Sequence, residues 1–139
     1  MSEWQGGVAK LRPLMMGHLE RLEYWSFFSV IGGLAAPLLI QNRQVLMFGI
    51  VSAGWAAVNI AIALIGKKAP PPKSVAHFVR LLAANQVANY FYILMGIGLG
   101  LFGESLDWRG SGFAVALQGF ALMVLDGKLL KQTRELLEP

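Results

Sequence analysis

The sequence predicts an all-α integral membrane protein, a four-helix bundle of two tandem helical hairpins forming one domain over residues 1–139. Three observations carry this. Hydrophobic residues make up 55% of the chain and charged residues only 14%, with a mean hydropathy of +0.54; a soluble domain carries about 25% charged residues. Four stretches are apolar over about 20 residues, the length a spanning helix needs. Basic residues gather on alternate connections between those stretches. Together these exclude disorder, a coiled coil and a nucleic-acid-binding tail. The chain has no cysteine, which excludes disulfides, thiolate metal sites and catalytic thiols.

The first span is expected at residues 22–40, with no charge after Glu23. The second covers 45–65, with Ser52, Asn59 and the Trp55 indole as its polar side chains. The third covers 81–102 and the fourth 111–130, the last interrupted by Gln118, Asp126 and Lys128. Each is helical, because backbone groups in lipid must be satisfied within the segment and no alternating barrel pattern exists. The first span is not a cleaved signal, since its apolar run begins more than 20 residues in, after mixed charges.

Residues 8–24 form an arm in which Leu11, Leu14, Met15, Leu19 and Leu22 share a helical face. That pattern predicts an amphipathic helix lying in the membrane interface before the first span. Residues 41–44 make a tight hairpin, 66–74 (GKKAPPPKS) a proline-stiffened linker, and 103–110 (GESLDWRG) an outer loop. Lys10, Arg12, Arg21, Lys67, Lys68, Lys73, Arg80, Lys128, Lys131 and Arg134 flank one side of the spans, and Arg43 and Arg109 the other. The positive-inside rule then places both termini and the linker in the cytoplasm of a cell inner membrane. Anionic lipid headgroups are the expected partners of that basic face, and the net charge of +4 calls for no nucleic acid. A shift of 65 residues lays GWA (54–56) on GFA (119–121) and Trp25 and Phe27 on Tyr90 and Tyr92, which suggests a parallel duplication of the hairpin.

Two runs, GSGFAVALQGFALMVLD (110–126) and NQVANYFYILMGIGLGL (85–101), resemble those of an uncharacterised family of small bacterial membrane proteins with four spans in two hairpins. The resemblance covers most of residues 20–130, through a Gln-Gly step (Gln118, Gly119), the acidic Asp126 and an Asn-rich entry to the third helix. Family members often follow the acidic residue with an aromatic and a His, where this chain has Gly127 and Lys128. The resemblance implies the topology and no chemistry.

Polar groups inside a membrane need a partner or a purpose. Asn85, Asn89 and Tyr92 share one face of the third helix, with Gly96 and Gly100 continuing it. Asn59, Asn89 and Asp126 are expected at comparable depths, and Glu23 enters from the same side. These residues form either interhelical glue or a polar pocket open to the cytoplasm. Arg21, Arg80 and Lys128 are candidate ion-pair partners for Asp126, with Asn59 and Asn89 as neutral ones. Gly96 and Gly100 mark close helix packing, within the bundle or in a homo-oligomer. His18 and His77 each head an HxxRL run, but they fall at an interface and out of register with the repeat, so haem and metal are not expected. No hydrolase, phosphate-loop or paired-carboxylate signature is present, and no catalytic residue or cofactor is assigned. The expected role is non-enzymatic: an interaction or structural subunit, with a membrane protein or a second copy as partner. The alternatives are a small carrier or channel, or a lipid-headgroup- or quinone-binding protein walled by Trp25, Tyr90 and Tyr92.

Overall fold

A computed structural model describes residues 3–138, and side chains from residue 7. It contains four helices: α1 (Glu3–Leu39), α2 (Arg43–Lys68), α3 (Val75–Phe102) and α4 (Leu106–Arg134), with no strand among the described residues. The pairs α1–α2 and α3–α4 form hairpins, and α4 joins them by packing on both α2 and α1. The helices start where capping side chains stand. Asn42 accepts from the Gln44 N–H, Ser74 from His77 and Ser105 from Trp108. Each satisfies an N–H that has no partner inside its helix. The Ser105 cap starts α4 earlier than expected, so the outer loop shrinks to Gly103–Ser105 and Trp108 and Arg109 join the first turn. At this end Arg43 Nε donates to Asp107 Oδ1 at 2.6 Å, tying the start of α2 to that of α4.

The separate interfacial helix is not found. α1 runs unbroken through Pro13 and Pro37. The arm's apolar residues are covered by protein rather than left for a membrane surface. Leu11 is fully buried, Leu14 packs against the cluster of Leu82, Leu129 and Leu130, and Arg12, Met15 and Met16 share a crevice with Pro70–Pro72 of the linker.

The interior holds many polar and small residues while many large apolar ones lie outside. Ser26, Ser29, Ser52, Asn59, Asn89 and Gln118 are buried, while Tyr24, Phe28, Ile31, Leu34, Ile65, Phe91 and Leu94 are exposed. Small residues set the helix spacing. Pro37 has no N–H to return to the Gly33 carbonyl, and that oxygen lies against Gly49, where a Cβ would overlap it. In the second hairpin Gly96 meets the backbone of Gly112 and Ala116.

The duplication exists at a different shift. The N-caps Asn42 and Ser105 stand 63 positions apart (105 − 42), as do the crossings Gly33–Gly49 and Gly96–Gly112. Buried Leu19, Ser26, Gly33, Gly49, Ala56 and Ala63 correspond one for one to buried Leu82, Asn89, Gly96, Gly112, Gly119 and Asp126. The shift of 65 was drawn to aromatic identities, and its Phe120 and Tyr90 point outward, where packing does not constrain the residue.

Candidate functional site

The two halves are not symmetric. α1 packs closely on α4, but its counterpart, α3 on α2, has no close backbone approach and the two touch through side chains. The gap is a cleft of about 320 Å³ that opens sideways between α2 and α3. Trp55 and Tyr92 meet edge to face across it, with centroids 5.1 Å apart. Exposed Val58 and Ile62 on α2 and exposed Asn85 on α3 flank the mouth. The floor is polar and buried: His18, Asn59, Asn89 and Asp126 are each at most 8% exposed.

α3 and α4 supply the core of this floor through their shared register. Asn89 Nδ2 donates to Asp126 Oδ2 at 2.9 Å and to Gln86 Oε1 at 3.3 Å, and Gln86 Nε2 donates to the Met123 carbonyl at 3.0 Å. From α1, His18 Nε2 stands 3.3 Å from Asp126 Oδ1. The carboxylate thus has a partner on each oxygen. Its expected cationic partners are elsewhere: among the described residues Arg21, Arg80 and Lys128 form no ion pair with it. Arg21 instead folds back toward Gly17 along α1. Glu23, expected in the pocket, pairs with Lys67 at 2.5 Å outside the cleft. The Asn59 Nδ2 and His18 Nδ1 atoms are buried without a hydrogen-bond partner.

Asn59, Asn85, Asn89, Tyr92 and Asp126 therefore line one cleft, as does His18, which sequence reasoning had set at an interface. Trp25 and Tyr90 do not. Tyr90 is on the exposed side of α3. Trp25 Nε1 donates to Gln118 Oε1 at 2.9 Å, and Gln118 Nε2 donates to Ser29 Oγ at 3.2 Å. That chain fills the bundle between the cleft and the hairpin loops. Trp55, not Trp25, is the indole of the site. Gly96 and Gly100 pack inside the second hairpin, Gly100 against the Phe113 ring.

Three of the four helices, α1, α2 and α4, are long and apolar enough to cross a membrane. α3 falls short of the four expected because Asn85, Gln86, Asn89, Tyr90 and Tyr92 dilute its apolar run. The fold and its cleft define a small helical protein with the composition of a membrane protein. The chain belongs to the DUF6992 family, a family of unknown function whose profile matches residues 21–127. Most of the cleft lies inside the match, and His18 lies just before it. Searches among curated proteins and among solved structures found no match.

Proposed function

We propose that this chain is a non-enzymatic inner-membrane protein with four spans, its termini and linker in the cytoplasm, whose cleft binds the polar end of a membrane amphiphile. The sideways opening between α2 and α3, with a buried polar floor behind a mouth that is apolar on the α2 side, carries this reading. A groove of this kind receives its ligand from within the lipid layer, headgroup inward and tail outward. The inverted polarity of the fold supports membrane residence, since its large apolar side chains face out. α3 serves as the fourth span because Asn89 and Gln86 spend their polar groups on α4, leaving Val87, Phe91, Leu94 and Met95 outward. Ten basic residues against two give the orientation. A binding role suits the site better than conduction, because the Trp25–Gln118–Ser29 chain and the glycine crossings occupy the bundle between the cleft and the opposite end.

Two experiments test this. Cysteines replacing exposed Gln41 and Glu104, which spare the capping residues, should be labelled from outside intact cells, and one replacing Lys73 should be protected. Labelling of Lys73→Cys from outside overturns the orientation. Native mass spectrometry of protein released gently from membranes should show a retained amphiphile, lost in Val58→Trp, which plugs the mouth from an exposed position. Equal lipid retention by parent and variant overturns the cleft reading.

A further inference from the structure

We infer that the cleft takes an uncharged, carbonyl-bearing flat ring, the head of a quinone-class amphiphile; this rests on the cleft being an amphiphile site, as proposed above. The charge inventory narrows the ligand first. Among the described residues no lysine or arginine lines the cleft, whose one carboxylate is Asp126; the buried Arg21 guanidinium stands one turn along α1 from His18, outside the lining. A phosphate-bearing headgroup would therefore lose its hydration beside a carboxylate with no cation in the lining itself to pair with it. An ammonium headgroup fares little better, because both Asp126 oxygens already have partners in Asn89 and His18.

The hydrogen-bonding inventory then sets the polarity. The Asn59 amide nitrogen is buried and has no acceptor. A buried unsatisfied donor costs about 1–3 kcal/mol, which a ligand oxygen recovers. An amide in need of an acceptor, in a lining that holds no lysine or arginine, selects a neutral oxygen. Shape supplies the rest. Trp55 and Tyr92 stand edge to face at the cleft wall, and aromatic pairs of this geometry take a further flat ring by edge or offset stacking. At about 320 Å³ the cleft is at the small end of the range for ligand pockets, suited to a single ring with its tail left outside. The inference concerns binding alone.

The test is isothermal titration of the full chain in phosphatidylcholine nanodiscs with a para-benzoquinone carrying a decyl tail. Diacylglycerol, phosphatidate and an alkylammonium of matched tail length serve as competitors. The quinone should bind saturably at one site per chain. Loss of the Asn59 hydrogen bond in Asn59→Leu should weaken it about tenfold, and Val58→Trp, at an exposed position and with an unchanged melting temperature as its control, should abolish it. Quinone binding that survives Val58→Trp overturns the inference by placing the ligand elsewhere. Stronger binding of any competitor than of the quinone overturns the ligand class and leaves the amphiphile cleft standing. If none of the four binds and no amphiphile co-purifies, both readings fall together.

Discussion

Asp126 shows how a single polar residue is held inside this fold. Asn89 donates to one carboxylate oxygen and His18 stands by the other, so replacement affects both neighbours. Asp126→Leu removes the partner of His18 Nε2 and one of the two acceptors of Asn89 and should destabilise the protein by about 1–3 kcal/mol. Asp126→Asn keeps the shape and one acceptor and should cost less; thermal melting in one detergent ranks the two. If Leu melts above the parent, the carboxylate is not integrated as described. At the other end, Asp107 behaves differently. The Arg43 hydrogen bond holds its carboxyl below the ordinary carboxylate range. A depressed folded-state value means that this tie is present above the ordinary carboxylate pKa of about 4 and is lost as pH falls through the folded value. The difference in melting temperature between parent and Asp107→Asn should therefore shrink on acidification below that range, and a constant difference would show that the tie contributes nothing. The amides around Asp126 were legible in the sequence, because polar residues in apolar runs stand out. His18 was not, because its position beside charged Glu20 and Arg21 looks solvated until α1 is known to continue without a break.

At the scale of helices, the glycines separate into two kinds that sequence alone does not distinguish. Gly33, Gly49, Gly96 and Gly112 have a neighbouring backbone where a Cβ would go, whereas Gly32, Gly54 and Gly98 face open space. Gly96→Ala should lower the melting temperature more than Gly100→Ala. The obstacle at Gly96 is the backbone of Ala116, and at Gly100 it is the Phe113 ring, 2.7 Å from the added carbon and free to swing. Gly32→Ala and Gly54→Ala should stabilise by about 0.5–1 kcal/mol through lower backbone entropy. A uniform loss across all four variants would show that the crossings are not where the structure puts them. Helix positions were readable from apolar runs, since length and composition suffice for that. The register of the duplication was not, because it is written in burial: Ser26 corresponds to Asn89 and Ala63 to Asp126, pairs that share no chemistry, only a place in the core.

For the whole molecule, the departure from twofold symmetry matters more than the symmetry. One hairpin carries the Asn89–Asp126 pair where the other has Ser26 and Ala63, and α1 lends His18 to the polar half. The four-helix architecture could be read from hydropathy, but the gap between α2 and α3 could not, since nothing local to either helix says that the other stays away. The segment that joins them bears on this. α2 and α3 are consecutive in the chain, and residues 69–74, with Pro70, Pro71 and Pro72, connect the two walls of the cleft mouth. Three prolines in a row favour an extended form of about 3.1 Å per residue, and here they line one crevice with Arg12, Met15 and Met16. The expected consequence is that the proline run acts as a strut, propping the two jambs of a doorway apart instead of merely linking them. Replacing all three prolines by glycine should let the doorway narrow and waver, seen as a shorter and broader distance distribution between spin labels at Ile62→Cys and Asn85→Cys. An unchanged distribution would mean that the helices hold the doorway open without the strut.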